Sequence, residues 1–254
     1  MATLLNRRRY MGGGGEDGFP LSTYIRKYLT IQAIETGTIS VNIGSGCSSM
    51  TISYSLDNGV TWIDNAFTTG TAKTYTTPTI SAGDRVLWKC ISTDGSFSIS
   101  YEKVVKFSST MSCKMYGNIM SLIYGDNFIG KNTVADGFHT FRQNFANLKV
   151  VDAEYLIIPV KTMKPYIAIM MFDGNTNLVK GPAFVSDDIQ TGVLQQAFRN
   201  NTHLASLTII ADSVSNIQSD WARGVPTGGV LTREIGNTFT LLPTGWTTND
   251  VLVV

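Results

Sequence analysis

Between about Tyr28 and Lys106 the apolar residues fall on every second position, and that period restricts this stretch to extended strands with one buried face. Ile39, Val41 and Ile43 alternate with Ser40 and Asn42. Met50, Ile52 and Tyr54 alternate with Thr51, Ser53 and Ser55, and Phe97, Ile99 and Tyr101 alternate with serines. Successive side chains of a strand point to opposite faces, so the pattern predicts antiparallel strands packed on one side and solvated on the other. Turn signals at Gly44-Ser45-Gly46, Asp57-Asn58-Gly59, Ala82-Gly83-Asp84 and Asp94-Gly95 punctuate the stretch. The expectation is about seven short strands and no helix, an immunoglobulin-like β-sandwich over residues 24–110.

One motif stands out inside this region. Ser55 to Trp62 reads S-x-D-x-G-x-T-W and resembles the Asp-box of sialidase-type propellers. Its physics is local: the Asp57 carboxylate accepts N–H groups across the turn, Gly59 takes a positive φ and Trp62 packs beneath. A propeller needs several copies at blade spacing, and the chain has one. A glycosidase also needs two placed carboxylates. The motif is therefore a structural hairpin.

The chain has 254 residues, of which 43% are apolar, enough for a core. Only 15% are charged, against about 25% ordinarily, so Ser, Thr, Asn and Gly must cover the surface. Twenty basic and 19 acidic residues leave a net charge of +1, which argues against a nucleic-acid binder. No apolar run approaches the roughly 18 residues that span a bilayer, so no membrane partner is expected. Cys47, Cys90 and Cys113 lie at long spacings without a C-x-x-C, and His139 and His203 are the two histidines. A zinc site is not expected from that set. A Cys47–Cys90 bridge is conceivable, but three buried thiols fit better.

Residues 1–23 read as an N-terminal arm. The basic run Arg7-Arg8-Arg9 follows Leu4-Leu5, and Gly12 to Gly15 stand where a secretory signal would carry its apolar core. The expectation is a protein made in the host cytoplasm without a signal peptide. Four glycines hold no fixed conformation by themselves. They form no phosphate loop either, since no strand precedes them and no Lys-Ser/Thr follows. The arm either folds back on its own domain or docks on a partner through Leu4, Leu5, Arg7, Arg8, Arg9 and Tyr10. Extended, it would reach about 70 Å.

Past Ser112 the period changes from two to a long repeat. Phe141 to Leu148, Phe172 to Leu178 and Phe198 to Leu204 are similar segments. The anchors Phe141, Phe172 and Phe198 lie 31 and 26 residues apart, and Trp221 follows 23 later. Strand-like runs follow each Leu (Lys149-Val150-Val151, Val179-Lys180, Ser206 to Ile210), and Tyr166 to Met171 and Gly192 to Ala197 read as short helices before the Phe. A strand, turn and helix at such a period predict a solenoid coil.

This texture resembles the BspA-like leucine-rich-repeat proteins of gut Bacteroidales and of the crAss-like phages that infect them. The likeness rests on the lead-in Met115-Tyr116-Gly117-Asn118-Ile119-Met120-Ser121-Leu122-Ile123-Tyr124-Gly125-Asp126-Asn127-Phe128, on the Phe-x5-Leu coils, and on Trp221 to Gly229 and Leu242 to Trp246. Upstream, Tyr28 to Ile39 and Tyr54 to Trp62 look like the accompanying β-domain. Where the family's coils carry Cys before Leu, this chain has Thr176-Asn177 and Thr202-His203. The resemblance implies a fold that is mainly β with short helices: arm, sandwich, then a short irregular leucine-rich-repeat-like solenoid over 111–254. It also implies a virion structural protein, a phage head fibre or capsid decoration at the virion surface, bound to capsid or other virion proteins through the arm. A tail appendage or receptor-binding protein is the alternative, as is a bacterial surface adhesin, which would need an export signal. Fibres are commonly symmetric, so a homo-oligomer, a trimer by guess, is expected. Tyr166, Asn175, Thr176, Asn200, Asn201 and Thr202 are the expected exposed coil positions, suited to weak multivalent contact with host glycans.

Little else carries chemistry. His203 sits in a repeat slot, and His139 lacks a nucleophile partner. Asp187-Asp188 beside Ser186 read as the cap of a helix before Val193. Lys161 and Lys164 read as solvated charges. No enzyme activity and no cofactor is expected.

Overall fold

The computed structural model describes residues 21–92, 97, 103–135, 138–215, 220–239 and 241–251. The chain is mainly β. A four-residue helix α1 (Leu21–Tyr24) leads into β1 (Leu29–Ala33), β2 (Ile39–Ile43), β3 (Met50–Ser55), β4 (Ile63–Phe67), β5 (Lys73–Thr76), β6 (Arg85–Ser92), β7 (Val105–Ser109) and β8 (Cys113–Asn118). After helix α2 (Ser121–Tyr124) come β9 (Val150–Pro159), β10 (Thr162–Met163), β11 (Lys180–Ile189), β12 (Ser206–Val214), β13 (Val230–Glu234) and β14 (Thr247–Val251). The alternation of Ile39, Val41 and Ile43 buries all three side chains along β2. Ile99 and Tyr101 lie outside the described residues.

Two sheets result. The larger runs β4-β3-β6-β1-β8-β9-β11-β12-β13-β14, with β10 paired to β11, and the smaller runs β5-β2-β7. Pairing is antiparallel from β4 to β8 and parallel from β8 to β14. Trp88 of β6 meets Phe107 of β7 edge to face at 5.0 Å, so the small sheet faces the antiparallel part of the large one. Strand β8 is the seam: Tyr116 is the register partner of Thr30 on one side and of Tyr155 on the other. Beside it the buried Ser121 hydroxyl accepts Leu29 N–H and donates to Trp88 C=O, and Asn118 Nδ2 donates to Ile25 C=O.

One core runs through both parts. Its spine is a file of aromatic rings, Trp88, Phe107, Phe145, Phe172, Phe198, Trp221 and Trp246, with successive centroids 5.0–6.4 Å apart. The first anchor of the repeat is thus Phe145, not the Phe141 expected from the sequence, and the spacing to Phe172 is 27 residues. Phe141 is equally buried, which is why spacing alone did not separate the two.

The return segments correct a second expectation. Tyr166 to Met171 and Gly192 to Ala197 are chains of turns, not helices. Alternate N–H groups bond three residues back (Ile169 to Tyr166 C=O, Met171 to Ala168 C=O), and those between them reach the next coil (Ala168 to Val193 C=O, Met170 to Gln195 C=O, Phe172 to Ala197 C=O). Left-handed residues recur every fourth position, as at Tyr166, Met170 and Gly174 or Gly192, Gln196 and Asn200. A helix this short would leave its first four N–H groups without a partner in its own segment; the turn chain satisfies its backbone while stitching coil to coil. Ser186, Asp187 and Asp188 lie within β11 and cap no helix. Cys47, Cys90 and Cys113 are buried thiols, and no Cys47–Cys90 bridge exists.

Candidate functional site

Outward-facing positions of four adjacent strands make a floor. Gln32 of β1 has Arg85 of β6 and Lys114 of β8 as register partners, and Lys114 has Asp152 of β9. One step along, Thr30 lies between Leu87 and Tyr116, and Tyr116 is paired to Tyr155. Alternation dictates this, because Ile31, Val86 and Met115 face the core and their neighbours must face out.

The α1–β1 connection forms one wall. Tyr24 and Ile25 pack on Ile157 and Val185, fixing α1 to the outer face of the parallel strands. The Tyr24 ring stacks on Tyr155 at 4.9 Å and meets Tyr116 edge-on at 5.6 Å, while Lys27 Nζ lies 5.2 Å from its centroid. The opposite wall is the tip of the β3–β4 hairpin, which brings in Asn58. Two hollows of 240 and 280 Å³ lie along this floor; Lys27, Arg85 and Tyr116 line both, and Asn58 lines the larger.

The lining of the hollows is mostly basic, with Asp152 as its acid. Arg26, Lys27, Arg85 and Lys114 are exposed and form no ion pair among the described residues. Four basic groups elsewhere are paired: Lys89 with Asp126, Lys180 with Glu154, Arg199 with Asp173 and Arg233 with Asp250. Asp152, the nearest acid by register, accepts the Glu154 N–H instead. Burial pushes up the Tyr116 hydroxyl against the opposing Arg85 charge, and it pushes up Tyr155 with help from Glu154. Tyr28 is raised to about 12 by burial and by its hydrogen bond to Asp126. All three phenols stay protonated at neutral pH.

The Asp57 hairpin is built as its sequence predicts. The carboxylate accepts Thr61 N–H at 2.9 Å and Thr61 Oγ1–H at 2.6 Å, and Ser55 Oγ donates to it at 2.8 Å. Asn58 and Gly59 take φ of 59° and 90°. Trp62 packs against Tyr28 (4.9 Å) and under Lys89 Nζ (4.2 Å).

The expected arm contacts Leu4, Leu5, Arg7, Arg8, Arg9 and Tyr10 lie outside the described residues. Of the coil positions, Tyr166, Thr176, Asn200 and Thr202 are exposed, but Asn175 and Asn201 are 1% and 0% exposed and belong to no surface. Asn175 is internal because its amide ties backbone together: Oδ1 accepts Val150 N–H at 3.0 Å, and Nδ2 donates to Phe145 and Phe172 C=O at 2.7 and 2.9 Å. Tyr166 stacks on His139 at 5.8 Å, and His203 Nδ1 lies 2.6 Å from Thr176 C=O. No group of three or more His, Cys, Asp or Glu able to hold a metal ion occurs among the described residues.

Sequence reasoning missed the groove. Arg85, Lys114 and Tyr116 occupy the polar half of an alternation read for its apolar half, and the one signal was a cation or aromatic at outward strand positions. The chain matches no family model, no curated protein and no solved structure.

Proposed function

We propose that this chain is a structural protein of a crAss-like phage particle, a head fibre or capsid decoration displayed on its surface and held by residues 1–23. In this reading residues 24–110 are an immunoglobulin-like sandwich and 111–254 a short leucine-rich-repeat-like solenoid, projecting together as a homo-oligomer. The resemblance of the lead-in and coils supports it. The observation that carries it is the continuous sheet and aromatic file, which join both parts into one stiff body suited to display. Tyr166, Thr176, Asn200 and Thr202 remain the coil positions open to weak contact with host glycans.

Mass spectrometry of purified particles, with heads and tails separated, tests the reading. The chain should co-purify with heads, and a version lacking residues 1–23 should stay folded yet fail to join particles. Absence from particles removes the proposal, recovery with tails replaces it by a tail appendage, and normal occupancy of the truncated chain removes the arm as anchor.

A further inference from the structure

We propose that the groove over β6, β1, β8 and β9 binds a carboxylate-bearing saccharide, with Arg85, Lys114 and Lys27 holding the acid and Gln32 and Tyr116 meeting the hydroxyls. The inference is independent of the virion reading, since it concerns this chain's own surface.

Charge comes first. Four exposed cations and one acid, Asp152, line the groove of a chain whose net charge is +1, and none of the four cations forms an ion pair among the described residues. Mutual repulsion makes that clustering unfavourable for folding, and an anion in the groove relieves it. Arg85 brings a planar fork that matches a carboxylate, and Lys114 lies one strand beyond Gln32 on the same row.

Shape and polarity then select the kind of anion. All four floor strands are interior to the sheet, so an extended acidic peptide finds no free edge to pair with. Single-stranded nucleic acid needs open ring faces for base stacking. Here Tyr155 stacks on the Tyr24 ring and Lys27 lies over it, and Tyr116 meets that ring edge-on. The groove therefore offers hydroxyls, an amide and cations rather than flat aromatic faces. The Gln32 amide donates to Gly83 C=O at 3.1 Å, leaving its oxygen to accept, and the Tyr116 phenol stays protonated to donate. Hollows of 240 and 280 Å³ side by side suit a short run of pyranose rings.

The test is calorimetric titration of the full chain with trigalacturonic acid and with its uncharged methyl ester, on the wild type, R85Q/K114Q and Q32A. Arg85 and Lys114 are exposed and repel their neighbours, so the double variant should melt at or slightly above the wild type. The acid is expected to bind and the ester not. R85Q/K114Q should weaken the acid at least tenfold and flatten its salt dependence, and Q32A should weaken it with the salt dependence kept. No binding of the acid, equal binding of the ester, or unchanged affinity in an intact R85Q/K114Q overturns the proposal. So does tighter binding of hexaglutamate or of an oligothymidylate in the same assay.

Discussion

In the antiparallel region the central strand β1 finds both partners far along the chain: Ile31 pairs with Val86 and with Met115. In the parallel region each strand pairs with the one laid down a single coil earlier, as Val185 does with Ile210. The two regions also fill their cores differently. The first buries alternate residues of two facing sheets, while the second threads one large ring per coil onto a common file. The lesson concerns backbone satisfaction. Facing sheets need no help from their loops, whereas a stack of coils must satisfy the return segments too, through turn bonds within a coil and rungs between coils. The regions nevertheless share a sheet, a core and one seam strand, so they should unfold together.

The largest expected effect tests that unity. Phe172→Ala in the coils and Trp88→Ala between the sheets each remove a fully buried ring of the file, which costs about 3–5 kcal/mol. Both variants should lower one common transition in chemical denaturation followed by fluorescence and circular dichroism. Two separated transitions would break the claim that the regions are one cooperative body.

At the seam, Gly117 has φ +94°, and an added Cβ would lie 2.0 Å from the Tyr28 carbonyl oxygen. Gly117→Ala should cost roughly 3 kcal/mol, the upper part of the range for backbone strain. Hydrogen exchange should show protection lost on both sides of β8; loss confined to one side would mean that the seam belongs to one region only.

Asn175→Ala should cost about 1–3 kcal/mol, because it orphans the Val150 N–H and takes one of two hydrogen bonds from each of the Phe145 and Phe172 carbonyls inside the coils. Thr176→Ala, next in sequence but exposed, should stay within about 0.5 kcal/mol. Equal effects in thermal melts would dissolve the distinction between internal tie and surface residue.

The smallest effect is electrostatic. Hydrogen bonds from the Thr61 hydroxyl and N–H and from Ser55 hold the Asp57 carboxyl at about 2, below its ordinary 3.8. Because the folded value is the lower one, the charged carboxylate favours the fold. Its contribution is whole above pH 3.8 and fades as the pH falls through 2. The Thr61 amide resonance should titrate in that window, with a midpoint near 2, and should not do so in Asp57→Asn. A midpoint at the ordinary carboxylate value would mean that the turn bonds do not favour the charged form.

The strands of the first region were legible because burial on one face forces a period of two, and Ile39, Val41 and Ile43 obey it to the letter. The Asp57 hairpin was legible for a related reason: all its bonds lie within seven residues, from Ser55 to Thr61. The coils were visible as a repeat, yet their return segments were misread. Periodic apolar residues mark a buried face equally well in a helix and in a turn chain, and the choice between them lies in bonds to the neighbouring coil.

The sequence by itself determined which residues seek the interior and where tight turns fall, since both depend on transfer from water and on local backbone freedom. Only the tertiary structure decided that Phe145 rather than Phe141 joins the aromatic file, and that Asn175 is an internal tie. It also decided that Arg85, Gln32, Lys114 and Tyr116 share one floor. Each of these depends on strand register between distant segments, and register is set by how whole faces pack, a quantity no local window of residues contains.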